Sequence, residues 1–232
     1  MEKYLKLGLL LLVLFFVFFI TTNFSNTFQK KINNNDIKKI IEKKESVTDS
    51  LRKKYNNDDI IGTISISNTD INEILLQARD NKYYLTHDAY GNYDKYGSVF
   101  LDHRCNKDSK KLLIFGHNDF KEETPFSNLE NYYDKSYYEN NQYIDVIIDD
   151  EKMKYQIFSV YIETEDFTYM NLNIDENKYN ADLIKYKNKS LYNTDVSVSP
   201  SDKILVLQTC SNHKDYKKYK DKYLLIIAKK II

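Results

Sequence analysis

The chain lacks a surplus of charge of either sign: 34 Lys and Arg residues stand against 34 Asp and Glu in 232 residues, a formal net charge of zero. Such a chain has no global field to draw in a polyanion, which argues against a nucleic-acid binder, and its scattered lysines and carboxylates read as solvated surface. Arginine is confined to Arg52, Arg79 and Arg104, so no guanidinium follows Arg104. Cysteine is scarcer still, with Cys105 and Cys210 alone. One disulfide is conceivable in an extracytoplasmic setting. However, Cys105 lies in a polar stretch after Arg104 while Cys210 ends an apolar run, so the two read as separate thiols. No internal repeat is apparent. With 42% hydrophobic residues the chain is long enough for one sizeable globular domain plus an appendage.

The long apolar run is Leu7–Ile20, broken only by Gly8 and preceded by Lys3 and Lys6. It reads as a membrane-insertion signal. The run covers about 21 Å at the helical rise against a hydrocarbon core of about 30 Å, and counting from Tyr4 to Phe24 reaches spanning length. Ile20-Thr21-Thr22-Asn23-Phe24 offers no small-residue cleavage site, so the expectation is an uncleaved anchor. The lysines before it place that end in the cytoplasm and everything after residue 24 outside. A polar, Asn-rich stretch from Asn23 to Asp36 reads as a stalk. Ile37, Ile40, Ile41, Val47 and Leu51 then fall near helical spacing up to about Tyr55, with a break possible at Thr48-Asp49-Ser50.

Beyond Asn57-Asp58-Asp59 the pattern becomes strand-like. Candidate strands are Ile60–Ile66, Ile71–Gln77, Val99–Leu101, Leu112–Phe115, Tyr143–Ile148, Lys154–Val160, Ile204–Thr209 and Tyr223–Ile227. Many short strands with few helices suggest a closed barrel, since closure removes exposed edges. Helices are expected after Thr124-Pro125 and over Asp175–Tyr192.

Two strand ends carry chemistry. Ile204-Leu205-Val206-Leu207-Gln208-Thr209-Cys210 delivers a thiol to its tip, and Leu112-Leu113-Ile114-Phe115-Gly116-His117-Asn118 delivers an imidazole. Together they are the halves of a cysteine nucleophile with its acid/base partner. An isolated thiol is mostly protonated at neutral pH, and a neighbouring imidazolium would lower its pKa. Taken singly, a buried structural cysteine and a hydrogen-bonded strand-end histidine are the plainer readings. A zinc set drawn from His103, Cys105, Cys210 and His213 is the rival, although His-x-Cys is not a usual structural spacing.

Four motifs in order resemble the sortases, class B in particular: Asp80-Asn81-Lys82-Tyr83-Tyr84-Leu85, Gly97 to Arg104 with its D-x-R segment, Phe115-Gly116-His117-Asn118, and Leu207-Gln208-Thr209-Cys210, which fits L-x-T-C. The resemblance implies a mainly β fold, a closed eight-stranded barrel with N-terminal helices and a helix before the cysteine strand. It implies an anchor over 1–24, a stalk and helix over 25–58 and a catalytic barrel over 59–232. It also implies a cysteine transpeptidase of the Gram-positive cell membrane, its catalytic domain extracytoplasmic, with Cys210 as nucleophile, His117 as acid/base and no cofactor or metal. Its partners would be surface proteins bearing a C-terminal sorting signal and an acceptor amine, from a peptidoglycan precursor or a pilin lysine. The family's essential arginine has no counterpart here. Tyr223 stands in its position as the candidate oxyanion donor, and Val206 replaces a usual threonine. The alternative is a weak or inactive sortase-fold protein that binds sorting signals or pilin-like partners.

Overall fold

The computed structural model describes residues 46–119, 122 and 124–232. The anchor, the stalk and the first part of the helix expected from Ile37 lie outside the described residues. The described part of that helix, α1, is Val47–Tyr55. Ser46 caps it by accepting from the Asp49 amide, and Asn56 closes it in the left-handed region. Its side chains then reach the first strand: Arg52 Nε donates to the Ile60 carbonyl at 2.7 Å.

The strands are β1 Ile60–Ile66, β2 Asn72–Leu76, β3 Phe100–Leu101, β4 Lys111–Phe115, β5 Tyr143–Ile148, β6 Glu151–Glu163, β7 Ile204–Cys210 and β8 Tyr223–Lys230. Hydrogen bonding orders them β1-β2-β3-β4-β7-β8-β6-β5 in a closed barrel. The pairs β2–β3 and β4–β7 are parallel and the others antiparallel. Closure leaves no edge, as the pattern of short strands implied. In β7 and β8, Ile204–Leu207 and Leu224–Ala228 are buried without alternation, the pattern of strands covered on both faces.

β6 outruns the expected Lys154–Val160 at both ends: residues 151–153 extend it by pairing with β5 straight after the turn, and its second half has no alternation to read because α3 (Glu176–Lys189) covers it. Tyr179, Leu183 and Tyr186 face inward from α3, and Ser159 Oγ donates to the Tyr186 carbonyl at 2.6 Å. The segment after Thr124 is split into a 3-10 helix, Ser127–Tyr133, and α2, Lys135–Asn140. Asp134 makes the break by accepting from the Ser136 amide as the cap of α2.

Candidate active site

The parallel register of β4 and β7 carries the strand ends that precede His117 and Cys210 to the same end of the barrel. Phe115 pairs with Gln208, so the next step in register is Gly116 with Thr209 and the one after is His117 with Cys210. Two bonds carry the alignment past the end of β4: the Gly116 amide donates to the Gln208 carbonyl at 3.3 Å, and Thr209 Oγ1 donates to the Gly116 carbonyl at 2.7 Å. Neighbouring strands lie about 4.8 Å apart. The glycine of F-G-H-N is needed for space, because a Cβ there would stand 2.5 Å from the Phe126 ring. Phe126 is fully buried, and its amide donates to the His117 carbonyl at 3.0 Å, fixing where the histidine leaves the strand.

On the other side of Cys210 stands Tyr223, its direct partner in the antiparallel β7–β8 ladder. The Ser211 amide bonds the Lys222 carbonyl, so the Cys210–Tyr223 pair is of the non-hydrogen-bonded kind. Side chains of such pairs share a face and have Cβ atoms about 5 Å apart. Tyr223 is half-buried and packs edge-on against Phe167 of the 3-10 helix Phe167–Met170. Burial, then Asp221 and Cys210, push its phenol above the ordinary tyrosine value, so it stays a neutral donor.

Cys210 is solvent-exposed as a residue, yet the protein around its thiol still desolvates it. That burial is the largest influence and pushes the thiol up; Lys222 pulls it down and Asp221 raises it. The expected depression by an imidazolium is therefore not what the geometry gives. His117 Nε2 lies 2.9 Å from the Leu85 carbonyl. A carbonyl only accepts, so Nε2 carries the proton and Nδ1 is the nitrogen left to exchange one.

Sequence reasoning passed over several contributors. Lys222, one residue before Tyr223, points to the other face by strand alternation, yet its charge still acts on the thiol. Asn118 and Glu130 join the two strand ends: Asn118 Nδ2 donates to Glu130 Oε1 at 2.6 Å and to the Cys210 carbonyl at 2.8 Å. Asn118 adjoins the histidine and was findable, whereas Glu130 looks like any helix carboxylate. The arginines serve elsewhere. Arg104 grips the buried Asp102 through Nε and Nη2, and Arg52 bonds Ile60.

The rival zinc set is split by the fold. Cys105 donates to the carbonyl of Lys111, the first residue of β4, and Lys111 pairs with Ile204 at the start of β7. Cys210 closes the far end of β7, about 20 Å away at the strand rise. Cys105 is also buried, unlike the polar-loop residue its neighbours implied, because Asp102 and Gln77 fold its loop against the barrel. His103 bonds Asn81, His87 stacks on Tyr83, and His213 caps a turn by accepting from the Asp215 amide.

A sortase domain model matches residues 64–230. Sortase B of Listeria monocytogenes is 34% identical over 165 residues, 70% of this chain and 67% of that protein. The curated sortase B relatives it matches are thus covered over 67% and 65% of their own length. The solved Staphylococcus aureus sortase B–substrate complex superposes at a TM-score of 0.77, with 28% identity, over 89% of this chain and 98% of that one. A sortase B solved in complex with triglycine gives 0.80 at 28% identity, over 89% and 97%. Barrel order, the two strand ends and these matches agree, and the chain belongs to the sortase family of cysteine transpeptidases, in class B.

Proposed function

We propose that this protein is a membrane-anchored class B sortase that cleaves a C-terminal sorting signal and joins the cargo to a cell-wall amine, with Cys210, His117 and Tyr223 as its reacting groups. The observation that carries this reading is their convergence at one end of the barrel: the β4–β7 register runs to Phe115–Gln208, two residues short of His117 and Cys210, and Tyr223 stands opposite Cys210 across β7–β8. As thiolate, Cys210 attacks the scissile carbonyl carbon, and negative charge gathers on the carbonyl oxygen. The carbon–nitrogen bond breaks, the amine leaves with a proton from His117, and a thioester remains on Cys210. An incoming amine gives a proton to His117 and attacks the thioester carbonyl, the carbon–sulfur bond breaks, and Cys210 leaves as the thiolate beside the protonated histidine. Tyr223 supplies one neutral hydrogen bond to the oxyanion where the family has a guanidinium.

The substrate and triglycine complexes of related sortases support a peptide donor and an amine acceptor. The Leu7–Ile20 run with Lys3 and Lys6 supports an anchor that leaves the barrel outside. A slow or binding-only variant of the same reading is favoured by the tyrosine in the arginine position and by the raised Cys210 thiol.

The test incubates the full chain in detergent with fluorogenic sorting peptides, with and without a glycine-based amine. Peptide joined to the amine, with a captured Cys210 thioester absent from Cys210→Ala, is the expected result. Binding without any adduct across the panel leaves only the binding variant. Recovery from cells as a soluble species beginning near residue 25 would rule out the anchor.

A further inference from the structure

Glu130 is a buried carboxylate, 4% exposed, in the 3-10 helix Ser127–Tyr133. No lysine, arginine or histidine pairs with it among the described residues. A carboxylate taken out of water without a cation needs strong hydrogen bonds to be tolerated. Its Oε1 accepts two, from Asn118 Nδ2 at 2.6 Å and from the Asn212 backbone amide at 2.8 Å.

Both donors sit beside the reacting residues. Asn118 directly follows His117, and Asn212 lies two residues after Cys210. Asn118 Nδ2 also donates to the Cys210 carbonyl at 2.8 Å, and Asn212 Nδ2 returns to the Asn118 carbonyl at 3.4 Å. Tyr133, on the same 3-10 helix, bonds Ser211 Oγ at 2.6 Å. The orientation of the Asn118 amide follows from chemistry, since Glu130 Oε1 and the Cys210 carbonyl are both acceptors and only the NH₂ side can face them.

These bonds begin where the β4–β7 ladder stops. Its last backbone bond is Gly116 to Gln208, and the ladder itself constrains neither His117 nor Cys210. Resting on the reading of those two as the reacting pair, we infer that Glu130 is a positioning residue: through Asn118 and the Asn212 amide it locks the histidine strand end to the cysteine strand end. It touches neither substrate nor the reacting atoms. Its removal lets the ends splay, and a misplacement of the order of 1 Å at a reacting centre can cost about a hundredfold in rate.

Transpeptidation by the full chain is measured for wild type, Cys210→Ala, Glu130→Ala, Glu130→Gln, Asn118→Ala and the Glu130→Ala/Asn118→Ala double variant. Folded protein is counted by circular dichroism. Because the network orients groups without binding peptide, kcat should fall about tenfold or more in both alanine variants, with KM for the peptide within about twofold. The double variant should fall no more than about twofold below the single ones, since the two residues act as a unit. Glu130→Gln keeps an oxygen that accepts both N–H groups and should stay within about threefold of wild type.

Unchanged kcat in folded Glu130→Ala, independent effects that multiply in the double variant, or Glu130→Gln as slow as Glu130→Ala would each overturn the assignment. If Glu130→Ala does not fold, Asn118→Ala and Glu130→Gln decide it. Failure of Asn118→Ala to fold as well makes the network purely structural and overturns it too. An inactive wild type instead sinks the functional reading beneath it, a distinct outcome.

Discussion

The parallel pair β4–β7 is finished differently at its two ends. Where Lys111 pairs with Ile204, the buried polar groups are all answered. Asp102, fully buried, takes Arg104 through both oxygens and Asn81 through one. Cys105, 5% exposed, donates to the Lys111 carbonyl, and the Lys111 ammonium, 4% exposed, donates to the Tyr169 carbonyl at 2.7 Å. At the other end the ladder has stopped, Cys210 is exposed, and His117 is held by a single ring bond to Leu85. Burial pushes both thiols up, Cys105 to about 11, and positive groups pull against it at both, but only Cys210 has solvent access. The fold thus holds one inert thiol in the loop packed beside the start of β4 and one reachable thiol at the tip of β7, and solvent access decides which is which.

The sharpest way to break this contrast is to exchange the thiols for alanine one at a time. Cys210→Ala should remove turnover by at least about a thousandfold and abolish the thioester, as loss of a nucleophile does. Cys105→Ala should keep wild-type kcat and cost only stability. Turnover that survives Cys210→Ala, or that dies with Cys105→Ala in a folded protein, would reverse the roles of the two ends.

Next in size is the brace at the closed end. Asp102→Ala takes an acceptor from Asn81 and two hydrogen bonds from the Arg104 guanidinium, which keeps the Met170 carbonyl at 3.2 Å and is exposed enough to recover water. The expected loss is about 2 kcal/mol by urea denaturation, with kcat of the folded fraction unchanged. A loss below about 0.5 kcal/mol would show that the closed end does not depend on its buried carboxylate.

At the open end, the missing guanidinium sets a smaller effect. An arginine would bring charge and several donors, whereas Tyr223 brings one neutral hydroxyl. Tyr223→Phe should slow peptide cleavage about tenfold with folding intact, and Tyr223→Arg should restore or raise it. If Tyr223→Phe is silent and Lys222→Ala is not, the lysine already acting on the thiol is the donor.

Much of this was legible before any coordinates. All eight strands sit where short apolar stretches placed them, by alternation in β1 and β5 and by continuous apolar runs in β4, β7 and β8. That the strand ends bearing His117 and Cys210 lie on neighbouring strands could not come from spacing, since the residues are 93 positions apart and their strands adjoin only through the parallel β4–β7 register. What could not be read was tertiary in origin. Cys105 looks exposed in a run of polar neighbours, and Glu130 gains meaning only when β4 and β7 end beside it. The far end of β6 was hidden because α3 buries its second half and erases the alternation.

The finest contrast lies within the closed end itself, where two neighbouring groups pull stability in opposite directions as pH rises. Cys105 ionises near about 8.5 in an unfolded chain, but burial holds it up to about 11 in the fold. The unfolded state therefore gives up this proton first, and stability falls as pH climbs through that window. Lys111 keeps its proton to about 10.4 when unfolded, but burial lowers it to about 8 in the fold. Here the native state binds fewer protons than the unfolded one, and stability rises over nearly the same range. In the wild type the two largely offset each other. Cys105→Ala removes the falling contribution, so between about pH 8 and 9.5 its stability should climb relative to wild type by about 1 kcal/mol, whatever constant offset the lost side chain adds. Lys111→Met should do the opposite by a similar amount. The tyrosines of the unfolded chain begin to titrate over the same range, but equally in all three proteins, so differences in urea midpoint between variant and wild type give the comparison. Parallel pH curves for wild type and both variants would mean that neither group is desolvated as its burial implies, and the closed end would then be no drier than the open one.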